Sequence, residues 1–320
     1  SLPVKNSLTN PTTSSELSIP VPWGEIRGKI WGPDHGHPVL CVHGWADNCG
    51  SFNTLIPLLP KECRYVAVDL PGHGLSCHRG PGVLYMFPSY VLDVCRVVDA
   101  LQWNKFSIIG HSMGECGFTA GFSALYPEMV DALILLDIYG FLPTDLVTLY
   151  VPNLMRQGLD EMLQFDKQPE EKRVYTYENA LKRLLAANPT ISEQSGHILL
   201  ERGLAKVEGG MGLFLCSVLC FQKNIVRMSL EQSLEMQSRI KAAILLVLYG
   251  LPQMSLLHVK FILLHVLYVS FFQHMVVNVP GDHHVHLNNP EVVAPIISEF
   301  LRTKVLSQSD NRTDEPKSKL

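Results

Sequence analysis

Phe106-Ser-Ile-Ile-Gly110-His-Ser112-Met-Gly114-Glu-Cys116 decides the fold. Its first four residues are a short apolar run with two β-branched members, as a buried strand requires. Gly110-x-Ser112-x-Gly114 follows at once, and a helical pattern from about 115 to 126 opens behind it. A serine between two glycines at a strand-to-helix turn is lifted clear of the sheet, and the glycines let that turn close without Cβ clashes. The helix behind directs its positive end at the hydroxyl. Ser112 is therefore the candidate nucleophile.

Outward from this point the same alternation continues. Gly28–Trp31, Pro38–Val42, Tyr65–Val68, Leu133–Leu136, Ile244–Leu248 and Met275–Val279 read as strands. Ser51–Leu59, Ser89–Leu101 and Pro290–Leu301 read as helices, the second with Val91, Val94, Val97, Val98 and Leu101 at helical spacing. Most of the strands are apolar throughout rather than on alternate residues, which predicts an α/β fold with a mostly parallel sheet covered by helices on both faces. Ligands bind such sheets beyond the carboxyl ends of the strands, where His43, Asp69, Gly110 and Asp137 stand.

From 141 the character changes: charge clusters at Glu170-Glu171-Lys172-Arg173, and 177–187 and 191–203 read as helices. A helical insertion after the strand ending at Asp137 is expected. The predicted organisation is an N-terminal extension (1–20), a core (21–140 and 237–305), the insertion (141–236) and a flexible tail (306–320).

The 320 residues are 47% hydrophobic with a net charge of −4, too apolar for a disordered chain. Lys+Arg 26 against Asp+Glu 30 leaves no basic excess, which speaks against a nucleic-acid partner. Neither G-x-G-x-x-G nor G-x-x-x-x-G-K-[ST] occurs, so no nucleotide cofactor is expected. The eight cysteines form no C-x-x-C pair and read as reduced thiols, which fits a cytoplasmic or organellar compartment. The first twenty residues lack an apolar core of the secretory kind. Ser318-Lys319-Leu320 is the address read by the peroxisomal import receptor, on a polar tail that suits it.

A serine hydroxyl needs a base. Val279-Pro-Gly-Asp-His283-His284-Val-His286 stands near the C-terminus, directly after a strand. His283 is the candidate base, with His284 and His286 as competitors. Three histidines in four residues also admit a metal cluster, but no carboxylate or cysteine stands at matching spacing, so none is expected. An oxyanion needs two backbone N–H donors, and the amides of Trp45 and Met113 are the candidates.

His43-Gly44-Trp45-x-Asp47-Asn48, Asp69-Leu-Pro-Gly72-His73-Gly74-Leu-Ser76, Gly110-His-Ser-Met-Gly114 and Gly281-Asp-His283 together resemble the α/β-hydrolase superfamily. Within it the chain is similar to the serine hydrolase-like proteins, relatives of epoxide hydrolases and haloalkane dehalogenases, over roughly 21–210 and 276–302. The resemblance implies that 141–236 is a cap over the active site and that the Asp69–Ser76 motif is mainly structural. A peroxisomal tail fits it as well. Dehalogenases and epoxide hydrolases place an aspartate where Ser112 stands; a serine needs an acyl group to attack, so an ester, thioester or amide is the indicated substrate.

The acid of the triad departs from the common pattern. Many relatives carry it after the strand that here reads Ile244–Leu248, but no Asp or Glu occurs between Glu235 and Asp282. Asp282 adjoins His283 and would have to fold back on it. Some relatives carry the acid after the strand following the nucleophile helix, the place of Asp137, which is the candidate to orient the imidazole. Glu115-Cys116 also replaces the small residues usual after the second glycine. These departures motivate an alternative, a weak or inactive member that binds a ligand or partner.

The leading expectation is a small acyl substrate, lipid-like in view of the apolar insertion, with no cofactor and no metal. The acid-free stretch 254–272 is nearly long enough to span a bilayer. Lys260, His258 and His265 within it argue against a span and leave a buried or membrane-touching helix.

Overall fold

A computed structural model describes residues 13–80, 83–112, 117–138, 151–167, 174–207, 210–213, 228–250 and 274–307. Within them the chain forms β1 (Ser15–Val21), β2 (Gly24–Trp31), β3 (His37–Val42), β4 (Cys63–Val68), α1 (Phe87–Ala100), β5 (Phe106–His111), α2 (Phe118–Leu125) and β6 (Val130–Leu136). The insertion contributes α3 (Val151–Asp166), β7 (Val174–Tyr175), α4 (Tyr177–Ala187), α5 (Glu193–Gly203), β8 (Leu204–Val207) and β9 (Gly210–Leu213). The chain then runs through α6 (Leu230–Ser238), β10 (Ala243–Tyr249), β11 (His274–Val279), α7 (Val285–Asn288) and α8 (Ala294–Leu301).

Eight strands make one sheet in the order β1-β2-β4-β3-β5-β6-β10-β11. The pairings from β4 through β11 are parallel, while β2 runs antiparallel to both β1 and β4. From β3 the chain steps outward to β4, and from β5 it proceeds the opposite way through β6 to β10 and β11. The order reverses between β3 and β5, and a crevice opens at the carboxyl ends of strands flanking such a reversal.

The apolar strands bury both faces, as their sequence requires. Leu40, Val42, Ile108, Leu133 and Leu135 meet Tyr90, Val94 and Val98 of α1 and Phe118 and Phe122 of α2. On the opposite face Val39, Cys41, Ile109, Ile134 and Leu136 meet Phe52, Leu55, Ile297 and Phe300.

Several local expectations need correction. Residues 51–59 form two 3-10 turns, Cys49–Phe52 and Ile56–Leu58, rather than one helix; Pro57 and Pro60 remove the donors an α-helix would use. Residues 15–20, read as part of an extension, belong to an edge strand whose alternating exposure hides it among polar residues. The insertion holds a small antiparallel sheet, β7-β9-β8, beside its helices. Met236, near the end of α6, packs on the core cluster under α1 and α2, so the core resumes before 237. Among the described residues no helix is long and apolar enough to cross a membrane. The stretch 254–272 and the tail signal Ser318-Lys319-Leu320 lie outside the described residues.

Candidate active site

β5 and β6 are parallel neighbours with His111 opposite Leu136, so the residues that follow, Ser112 and Asp137, leave the sheet side by side. Both have left-handed backbone, φ 52° in each case, which costs a non-glycine residue about 1–3 kcal/mol. The surrounding ladder enforces it: Ser112 N donates to Leu136 O at 3.1 Å, and Asp137 N to Val247 O on β10 at 2.8 Å. For Ser112 this is the sharp exit that its glycine-flanked motif demands.

His283 reaches the same point from the turn between β11 and α7. Gly281 sits at φ 135° in that turn, and a β-carbon there would fall 2.6 Å from Val285 Cγ2, so glycine alone allows it. The His283 ring bridges the two strand ends: Nε2 lies 2.6 Å from Ser112 Oγ, and Nδ1 lies 2.5 Å from Asp137 Oδ2. A carboxylate only accepts, so Nδ1 carries the proton and Nε2 presents its lone pair to the serine hydroxyl. The second Asp137 oxygen accepts from the Tyr249 amide at 3.4 Å. Ser112, His283 and Asp137 are thus brought into one relay. Asp282 is exposed beside it.

The histidine neighbours serve differently. His111 donates from Nε2 to the His283 carbonyl at 2.8 Å, which braces the backbone of the candidate base. His286 is buried against His111, ring centroids 4.0 Å apart, and against Phe52. Burial among neighbouring histidines pushes its pKa well below the usual histidine range.

The loop after β3 closes the other side. A β-carbon on residue 44 would lie 2.9 Å from the Cβ of Ser112, so Gly44 lets this loop lie against the serine. Trp45 follows, 42% exposed, its ring edge-on to His73. Met113, the other expected oxyanion donor, lies outside the described residues together with Gly114, Glu115 and Cys116. A small hollow beside Ser112 is lined by Val42, Phe118, Thr119 and Ile138 among others.

The remaining motif residues hold this loop. His43 donates from Nδ1 to the Gly44 carbonyl at 2.7 Å and accepts the Leu70 amide at Nε2. Only the neutral ring can do both, and burial pulls its pKa down accordingly. Burial, reinforced by the adjacent His43, lowers His73 to about 3. Asp69 accepts the amides of Cys49 and Leu75 and the Nε–H of Arg202 on α5. Arg202 also reaches Glu16 on β1, so one guanidinium ties insertion, core and edge strand together. Asn48 caps the following turn and donates to Leu199 O on α5 at 2.8 Å. The insertion also touches α7, where Asn288 accepts the Ser192 amide and donates to Thr190 O.

Asp47 was not singled out as a ligand from sequence. It is buried with its Oδ2 3.4 Å from His111 Nδ1 and 3.3 Å from His284 Nε2. Burial pushes its carboxyl up, but the two imidazoles outweigh this and hold it well below the usual carboxylate range. Among the described residues these three form a group whose ligand atoms all lie within 4.8 Å of one another. Sequence spacing could not reveal this convergence, because the carboxylate comes from the far side of the switch point.

Comparison with known proteins agrees with this architecture. Residues 37–185 match the family model described as alpha/beta hydrolase fold. The chain is 48% identical over its full length to the complete serine hydrolase-like protein of Danio rerio. It is 40% identical to serine hydrolase-like protein 2 of Homo sapiens, covering 91% of this chain and 95% of that protein. A hypothetical protein of Pseudomonas aeruginosa superposes with a TM-score of 0.77 at 29% identity, covering 90% of this chain and 99% of the other. The chain is a member of the serine hydrolase-like family of the α/β-hydrolase fold.

Proposed function

We propose that the protein hydrolyses an acyl ester or thioester through a covalent acyl-enzyme on Ser112. The observation that carries this reading is the unbroken relay from Ser112 Oγ through His283 to Asp137. Ser112 Oγ attacks the acyl carbon as its proton passes to His283 Nε2, and Asp137 stabilises the resulting imidazolium. The carbonyl π pair moves onto oxygen, where the Trp45 and Met113 amides would receive it. Collapse breaks the bond to the leaving alkoxide or thiolate, which takes the proton from His283. Water, activated by the same imidazole, then releases the acid and restores the serine.

The apolar content of the insertion favours a lipid-like or aromatic acyl group over a charged one. The tail Ser318-Lys319-Leu320 supports delivery to the peroxisome by its import receptor, alongside a cytoplasmic pool. Removing Leu320 from a fluorescent fusion should then leave the protein wholly cytoplasmic.

The deciding experiment is intact-mass analysis after a fluorophosphonate. Native protein should gain one phosphonyl group, Ser112→Ala none, and Asp137→Asn should label slowly. Folded native protein that stays unlabelled would sink the hydrolase reading. Labelling of Asp137→Asn at the native rate would remove Asp137 from the relay.

A further inference from the structure

Beside the relay, Asp47, His111 and His284 form a buried polar cluster among the described residues. Asp47 Oδ2 and His111 Nδ1 face each other in the interior, and neither has a hydrogen-bond partner. The tautomer of His111 is fixed, because its Nε2 meets a carbonyl oxygen and must carry the proton. In the neutral ring Nδ1 therefore presents a lone pair to a carboxylate oxygen, and two acceptors confront each other across 3.4 Å. Something positive belongs between them.

A proton would satisfy the pair by making His111 an imidazolium, but charge-assisted N–H···O bonds contract to about 2.7–2.9 Å. The observed separations, 3.3 and 3.4 Å from the shared oxygen, are wider than that. They match another arrangement. Tetrahedral zinc with bonds of about 2.0–2.1 Å holds neighbouring ligand atoms roughly 3.3–3.4 Å apart, the spacing of each imidazole nitrogen from the shared oxygen; the three ligand atoms together lie within 4.8 Å, so a bound ion would draw the two nitrogens closer. The carbonyl bond at His111 Nε2 is also the partner that metal-bound histidines ordinarily have on their second nitrogen.

We propose that Asp47 Oδ2, His111 Nδ1 and His284 Nε2 bind a divalent transition-metal ion of the zinc class, with water completing the tetrahedron. Two imidazoles and one carboxylate suit zinc or cobalt, whereas magnesium and calcium would require oxygen ligands. The ligands belong to three segments: the loop after β3, the residue before Ser112 and the residue after His283. The ion is therefore distinct from the relay and fastens the three loops that assemble it.

The test is cobalt titration of the full chain after chelator treatment and desalting, followed in the visible spectrum. One equivalent should bind with the intense bands of a tetrahedral site, and zinc should displace it. Zinc at 100 times its Kd should raise Tm by about 5 °C. Asp47→Asn and His284→Gln should each weaken binding beyond the about 10–100-fold that loss of a supporting partner costs. Ser112→Ala should bind as native protein does, which separates this site from chelation by the relay. Should either ligand variant fail to fold, X-ray absorption of the cobalt-loaded native chain supplies a second readout, with two imidazole nitrogens expected. The proposal is overturned by folded native protein that takes up no cobalt, by binding that Asp47→Asn leaves unchanged, or by a bound ion with no imidazole ligands.

Discussion

Asp69 and Asp137 occupy equivalent places, each the first residue beyond an apolar parallel strand, yet the molecule gives them opposite company. Asp69 is fully buried and receives two backbone amides and a guanidinium. None of these donors releases a proton near neutral pH. Asp137 meets an imidazole whose far nitrogen faces a hydroxyl, and imidazole is the side chain that trades protons in this range. Strand-end position alone therefore does not distinguish a brace from a relay. The titration behaviour of the partner does.

This contrast can be broken from either side. The largest effect belongs to Asp137→Asn, which should slow acyl transfer by about 10⁴-fold, roughly 5.5 kcal/mol of barrier, with little change in melting. Single-turnover acylation with an activated ester measures it. Asp69→Asn should do the reverse: up to about 3–5 kcal/mol of folding stability lost, because the buried Arg202 keeps only the half-exposed Glu16 as its ionic partner, with acylation per folded molecule retained. Denaturant melts beside active-site titration separate the two quantities. Adding Arg202→Met to Asp69→Asn should recover part of that loss, since the double variant leaves no buried charge unpaired. A loss in the double variant equal to the sum of the single losses would show that the two side chains act independently.

Acid has the smallest effect per step, because it accumulates one pH unit at a time. His43 and His73 are held neutral, with folded pKa values below the ordinary 6.5 and, for His73, at about 3. Below pH 6.5 the unfolded chain binds more protons at these sites than the folded one. Stability should be fully present above that pH and fall as pH drops below it, for His73 until about 3, by up to about 1.4 kcal/mol per pH unit for each ring. Replacing His73 with Gln should flatten the slope of denaturant midpoint against pH between 6.5 and 5.

The elements that could be read in advance were those whose signal is local. Apolar runs announced the parallel strands, and the glycines around Ser112 announced its turn. Asp137 was reached through the resemblance, as the position where some relatives carry the acid, once the stretch after Ile244–Leu248 offered none. What escaped was non-local or weakly patterned. Residues 15–21 alternate exposure along an edge and resemble a polar leader until β2 pairs with them. The two short insertion strands that flank β9 need their partners to be strands at all. Asp47 meets His111 and His284 only because the sheet brings the ends of β3 and β5 together, which no spacing rule records.

The shared left-handed exits of Ser112 and Asp137 have a corollary. With Ser112 and Asp137 at the ends of adjoining strands, their separation is fixed by the sheet lattice itself, at about 4.8 Å between strands. From the end of β10 the second Asp137 oxygen receives the Tyr249 amide, a group every residue but proline supplies. A relay built this way does not require a carboxylate after β10. A run from 236 to 281 without a single acidic residue is compatible with that geometry.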